Sequence, residues 1–331
     1  MLDPARDAAA LLRRIGFLVL MVGLPLGAFA ARTAAVFLFA IAVALLVAAS
    51  LFDGVGRSAL GHAGRLGTAP PFLAASLVAG WAVLSLAWTP VQQPAGSAAL
   101  SLAGVVALAL AAFLVLPDRT RSANLYPVTV GVGLAALVGI GLSLHAVDRL
   151  PADALRRVDR GLAILAVFTW PAVAWLRSRG RDVEAIGLVA VATLAVALGG
   201  SWSPLAALVL GALAYVAAQL LDRGAAAVGI AMAALVVLAP VLVLAFGPGL
   251  AAAFPTGWSA GMQAWRAVIL ADPVRLVTGH GIGAVPPSPV LAGMPELFGS
   301  PLLEIWYELG LVGAAGLAAA IVFALRALPA D

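Results

Sequence analysis

The chain reads as an all-α, polytopic integral membrane protein, and three observations carry that reading. Hydrophobic residues make up 63% of the 331 and charged residues only 10%, against roughly 25% charged in an ordinary soluble domain. Apolar runs nearly free of charge recur at lengths near the about 20 residues a helix needs to cross the hydrocarbon. The connections between them are mostly short and carry helix breakers such as Thr89-Pro90, Pro117-Asp118 and Ser203-Pro204.

In lipid a helix satisfies every backbone N–H and C=O within its own segment, so each run is read as a spanning helix. The first two are 15–31 and 34–52. Ala28-Phe29-Ala30 imitates a signal-peptide cleavage site, but the run is long and the second span follows at once, which favours a retained span. The third, 72–88, stops at Thr89-Pro90, and the fourth, 98–116, at Pro117-Asp118. The fifth is 125–146, the sixth 161–176 with Trp170-Pro171 inside it, and the seventh 183–200. Ser203 reads as the N-cap of the eighth, 204–221, with Pro204 at its first position. The ninth, 226–247, closes at Gly247-Pro248-Gly249, and the tenth occupies 302–325. These ten spans form a single membrane domain over 1–331, with one long outward excursion at 248–301.

All nineteen basic residues are arginine, and the net charge of +4 suits anionic head groups or phosphorylated substrates. Alternating spans place Arg6, Arg13, Arg14, Arg57, Arg65, Arg119, Arg121, Arg177, Arg179, Arg181, Arg223 and Arg326 on one side. By the positive-inside rule that side is cytoplasmic, both termini lie there, and 248–301 faces outward. The chain lacks cysteine and has three scattered histidines, so thiol chemistry is excluded; no metal or other cofactor and no nucleic-acid partner is expected. No ionisable residue falls at the middle of a span, which counts against a proton-driven carrier.

Within the excursion, 257–271 reads as a short helix with Trp258, Met262, Trp265 and Ile269 on one stripe, ended by Asp272-Pro273. Taken alone, the stripe suggests an interfacial helix with tryptophans at head-group depth. Gly279-x-Gly281-x-Gly283 follows no predicted strand, so it is a tight turn rather than a dinucleotide fingerprint. Arg156, Arg157 and Arg160 stand in the outward connection 147–160, against the general arginine trend. Arginine's planar fork suits phosphate or diphosphate oxygens; pairing with Asp148, Asp153 and Asp159 at helical spacing is the other reading. Glu304 and Glu308 share a face in the first turns of the last span. Either acts as a general base there, or both interact with the helix dipole and pair with Arg266 or Arg160. His280 is a lone titratable group in the glycine-rich turn.

Together, Arg160-Gly161 leading into Trp170-Pro171, Ser201 at the mouth of the eighth span, Trp265-Arg266, Asp272-Pro273, Gly279-x-Gly281-x-Gly283 and Leu303-Glu304-Ile305-Trp306-Tyr307-Glu308-Leu309-Gly310 with Gly313 form an ordered series. In this series the chain resembles the O-antigen ligase and O-antigen polymerase superfamily of bacterial envelope enzymes over about 160–313. The resemblance implies a metal-independent glycosyltransferase of the bacterial inner membrane. Such an enzyme moves a glycan from undecaprenyl diphosphate to a lipid A core, glycan or protein acceptor at the periplasmic face. It also implies that Arg160 and Arg266 meet the diphosphate. Where the family commonly has His-Asn before the last motif this chain has Gly299-Ser300, so His280 would act in its place, with Glu304 and Glu308 as further catalytic candidates. A relative that has lost catalysis and binds envelope glycan or lipid, or a transporter, are the alternative readings.

Overall fold

The computed structural model describes residues 4–52, 68–115, 125–146, 152–221, 223–253, 256–284 and 301–326. Their regular structure is helical, with no strand among them. Helix α1 (Pro4–Leu18) passes through a π-helical turn, Val19–Gly23, into α2 (Leu24–Ala30). There follow α3 (Arg32–Phe52), α4 (Pro70–Leu84) with a 3-10 turn at Ser85–Ala87, α5 (Gln92–Val115) and α6 (Tyr126–Ala146). Next come α7 (Ala152–Ser178), α8 (Asp182–Gly199), α9 (Trp202–Leu220) and α10 (Gly224–Ala253). Two shorter helices, α11 (Thr256–Ala271) and α12 (Arg275–Thr278), precede α13 (Pro301–Arg326).

Among the described residues ten helical stretches are long and apolar enough to cross a membrane, from Ala5–Ala30 to Leu302–Arg326. Their outer faces are apolar as well: Val183 is 81%, Leu220 77% and Leu100 76% exposed. Such faces fit a hydrocarbon solvent and would be a liability in water. The protein is an all-α, polytopic membrane protein.

Three helix boundaries differ from those the sequence suggests. Residues 152–160, read as part of a connection, form the first turns of α7. Helix α10 runs on to Ala253, through Gly247-Pro248-Gly249, so the excursion starts later than its proline implies. In lipid the freed carbonyl below a proline has no water to turn to, and local adjustment within the helix is the tolerated outcome. Helix α9 begins at Trp202, which places Ser203 and Pro204 inside its first turn rather than at its cap.

The chain divides into two compact units, Met1–Gly64 with Leu110–Leu220, and Arg65–Ala109 with Leu221–Asp331. No boundary of this kind is visible in the sequence, because each unit is assembled from two separated segments and the division falls within α5.

The first unit packs α1 against α3, and α6, α7 and α8 against one another, with α9 on α7 and α2 on both α3 and α7. Its core holds Phe17, Phe29, Leu46, Val132, Leu162, Leu165 and Val196. Small residues allow the close approach that drives helix association in lipid. The Cα of Gly161 faces the Phe29 ring so closely that any Cβ would overlap it, and Gly131 stands against the Met21 carbonyl in the π-helical turn. The one hydroxyl completely buried inside α7, Thr169, donates to Leu165 O at 2.7 Å.

In the second unit α13 packs against α10, α4 and α12, and α11 packs on α10. One core cluster joins Val236, Ala239, Val243, Trp265, Val268, Ile269, Leu303, Trp306 and Ala314. A smaller one gathers Ala82, Ala95, Ala99, Ile282 and Leu309.

Candidate functional site

In the first unit α7 carries Arg156, Arg157 and Arg160 over two turns, and Arg156 and Arg160 share a face at i, i+4. Arg156 is exposed, while Arg157 and Arg160 are half-buried. The Arg157 Nη1 donates to Ala30 O at 3.5 Å, the limit of a hydrogen bond, at the carbonyl end of α2 where a cation complements the helix dipole. The Arg160 Nη1 is different: it is buried and has no hydrogen-bond partner. A buried guanidinium nitrogen without an acceptor is costly, and an acceptor oxygen, that of an anion among them, relieves it.

The second unit is organised around a break in α13. Gly310 has φ 65° and ψ −159°, a conformation essentially restricted to glycine, and it interrupts the i→i+4 ladder. The carbonyls just before it therefore take donors from outside their own helix. Tyr307 O accepts the His280 N–H at 2.8 Å and Glu308 O accepts the Gly281 N–H at 2.9 Å. Leu309 O accepts the Trp81 indole N–H at 2.9 Å. The glycine-rich turn is what reaches them: Gly279 lies so near Glu308 O that a Cβ there would overlap it.

Two buried hydroxyls complete the seat of the turn. Ser85 Oγ accepts the Ile282 N–H at 3.0 Å while donating to Ala82 O at 2.8 Å. Thr89 Oγ donates to Ile282 O at 3.2 Å. The turn of the sequence reading is thus the part that satisfies a broken membrane helix.

Above this seat lies a cleft lined by Pro240, Trp265, Ile269, Asp272, Arg275, His280, Trp306 and Tyr307. Each wall has a local cause. Pro240 lacks an N–H, so Val236 O, four residues earlier in α10, has no helical donor; Trp306 Nε1 supplies one at 2.7 Å. Trp265 meets Tyr307 edge-on at 6.2 Å between centroids. At only 3% exposed it is core, not a head-group anchor as the aromatic stripe alone suggests. The side chains of Trp258 and Met262 lie outside the described residues.

The His280 ring stacks on Tyr307, centroids 4.0 Å apart and planes 14° from parallel. Its Nδ1 is 3.2 Å from Tyr307 O. Burial holds the imidazole below its ordinary pKa, outweighing the upward pull of the Tyr307 carbonyl and of Asp272; Arg275 also lowers it. Asp272 and Arg275 are paired at 4.0 Å on an exposed rim.

Of the other candidates, Arg266 sits on α11, half-buried beside Trp265. Glu304 is exposed and Glu308 half-buried, one turn apart on α13, and the Glu308 carboxylate accepts from the Gly283 N–H. Asp148, Gly299 and Ser300 lie outside the described residues. His280, Glu308 and Arg266 thus fall in the second unit and Arg156, Arg157 and Arg160 in the first. Sequence reading missed Asp272 and Arg275 as rim residues and Tyr307 as the partner of His280. The i, i+3 spacing of Asp272 and Arg275 is the signal that was available.

Among the described residues no group of three or more histidine, aspartate or glutamate side chains is placed to hold a metal ion. Comparison of the chain with protein-family models, with curated proteins and with solved structures returns no match.

Proposed function

We propose that the protein is a polyprenyl-diphosphate-dependent glycosyltransferase of the O-antigen ligase or polymerase kind, working at the periplasmic face of the bacterial inner membrane with both termini cytoplasmic. It moves a glycan from undecaprenyl diphosphate to a hydroxyl of a lipid A core, another glycan or a protein. The observation that carries the reading is the buried, partnerless Nη1 of Arg160 beside Arg156 and Arg157.

The chemistry needs two things from the protein. The acceptor oxygen attacks the anomeric carbon as the bond from that carbon to the diphosphate oxygen breaks. The leaving diphosphate keeps the electron pair, and fixed cations stabilise the charge it gains. The acceptor hydroxyl gives up its proton to a base held within hydrogen-bond reach. Within the first unit Arg160 is the candidate cation for the diphosphate; within the second, taken by itself, Arg266 is the candidate cation and His280, Glu304 and Glu308 are the candidate bases. Gly299-Ser300 in place of the family's His-Asn favours a second reading, a relative that binds the same donor without transferring it.

The test is binding of undecaprenyl diphosphate to the full chain in detergent. Loss of one charge-assisted contact of about 1.5 to 3 kcal/mol lowers affinity roughly 10- to 150-fold in Arg160→Ala. Lysine at that position restores charge without the fork and recovers part of it. Affinity within twofold of wild type in both Arg160→Ala and Arg266→Ala sinks the donor assignment. Binding without transfer, with a glycan-loaded donor and a lipid A core acceptor, selects the second reading. Cysteine labelling after residues 93, 154 and 285 reports the orientation: all three are expected outside.

A further inference from the structure

Tyr307 O is a main-chain acceptor that a continuous helix would pair with the N–H four residues on. The Gly310 break releases it, and two donors from one residue converge on it: the His280 backbone N–H at 2.8 Å and His280 Nδ1 at 3.2 Å. A carbonyl oxygen has two lone pairs and donates nothing, so the second contact is a hydrogen bond only with the ring proton on Nδ1. In a neutral ring that leaves the lone pair on Nε2. Stacking on the Tyr307 ring at 4.0 Å and 14° fixes the plane in which that lone pair lies.

We infer that the helix break at Gly310 is a positioning device: through the Tyr307 carbonyl it sets His280 as the Nδ1–H tautomer and makes Nε2 the proton acceptor for a hydroxyl-bearing ligand in the cleft of Trp265 and Trp306. Only the identity of that ligand, a glycan acceptor, rests on the functional reading above; the tautomer does not. Gly310 and Tyr307 are positioning residues, and His280 is the group that meets the proton. The charged and titratable groups around the ring are Asp272 and Arg275, which line the same cleft, and Tyr307, Glu304 and Glu308 on the helix packed against it. Asp272 and Arg275 offset each other as a pair.

The seat is tested on the full chain in lipid nanodiscs, uniformly labelled with 15N-histidine. The chain has three histidines, and His280→Asn identifies the His280 signals by their loss. At neutral pH the expected spectrum has a protonated Nδ1 and an unprotonated Nε2. A protonated Nε2 overturns the proposal. Tyr307→Phe keeps the carbonyl and is expected to keep the tautomer; a switch of tautomer in that variant also overturns it.

Function is read separately. His280→Asn retains a donor toward Tyr307 O and loses the acceptor nitrogen, so glycan transfer is expected to fall at least about 100-fold with donor binding unchanged. Transfer equal to wild type in that variant removes His280 as proton acceptor and overturns the proposal. If the wild-type chain itself transfers nothing but shows the Nδ1–H tautomer, the glycosyltransferase reading fails and the tautomer seat is supported.

Discussion

Glycine does different work at Gly161 in the first unit and at Gly310 in the second. In the first, Gly131 and Gly161 are ordinary helical residues whose missing Cβ lets another helix come close; Gly161 faces a side chain, the Phe29 ring, and Gly131 the Met21 main chain. In the second, Gly279, Gly281 and Gly310 all have positive φ, and what stands where a Cβ would go is main chain or, at Gly281, main chain and the Thr89 side chain. The first use brings two continuous helices together in lipid. The second replaces part of one helix's hydrogen-bond ladder with donors from a turn. Away from its ends a continuous helix leaves no unused backbone acceptor for a ligand or a catalytic side chain, whereas a broken helix does. The unit with the break is also the one that holds the cleft.

The comparison predicts its own largest effect at Gly310. Alanine there enters a region of φ and ψ costing about 1 to 3 kcal/mol. Its Cβ would stand 2.5 Å from both Gly279 N and Val277 O, backbone atoms that cannot rotate away, adding about 1 to 3 kcal/mol. Unfolding in mixed detergent should show Gly310→Ala destabilised by about 2 to 6 kcal/mol, and trimming a neighbouring side chain should not rescue it. Stability within 1 kcal/mol of wild type would mean the break is dispensable.

Gly161→Ala should behave otherwise. The overlap costs about 1 to 3 kcal/mol, but the obstacle is a ring that can be shortened. Phe29→Ala creates a cavity by itself, yet in combination it should relieve the clash, so the double variant is more stable than the two single losses added together predict. A coupling of at least about 0.5 kcal/mol is expected from residues in contact. Simple additivity would erase the distinction between the two kinds of glycine.

A smaller effect is expected where the second unit's turn is pinned. Ser85→Ala removes the acceptor for the buried Ile282 N–H without adding bulk. An unsatisfied buried donor costs about 1 to 3 kcal/mol, toward the lower end if a neighbouring carbonyl shifts. Hydrogen exchange should speed up at Gly281 and Ile282 before α13 is affected. Uniform acceleration through α13 would indicate that the turn and the helix open as one.

Much of this architecture is legible in the sequence because lipid enforces it. Ten apolar runs give ten candidate spans, and α11 stops at Ala271 as Asp272-Pro273 requires. The glycine triplet is legible as a turn for the same reason, the scarcity of other residues at positive φ. What it seats against is not. Gly310 in Leu309-Gly310-Leu311 carries the same letter as Gly313, which stays within the helix, and only the tertiary partner tells the two apart. The Trp306 indole is similar: its acceptor, Val236 O, exists because of a proline 66 residues away in sequence, and no local pattern links them. At the arginines, sequence supplies the residue type and the helical spacing, but only the fold separates Arg157, which reaches Ala30 O, from Arg160, which has a nitrogen left over.

The smallest effect concerns pH. Burial is the main cause of the lowered His280 pKa, so the folded protein binds that proton less readily than the unfolded chain, where histidine titrates near its ordinary value of about 6.5. Above that value neither state is protonated and the residue adds no pH dependence. As pH falls below it the unfolded chain gains the proton first, and stability declines until the lowered folded value is passed and the slope vanishes. The contribution is therefore fully present above about pH 7 and lost on acidification, the reverse of a histidine stabilised by an ion pair. Other groups also titrate in this range, so the informative quantity is the difference between wild type and His280→Asn, each unfolded in the same detergent at pH 7.5 and 5.5. Wild type should lose more stability than the variant over that interval. An equal loss would show that the ring is solvated in the folded state, and would remove the burial on which its neutrality in the cleft depends.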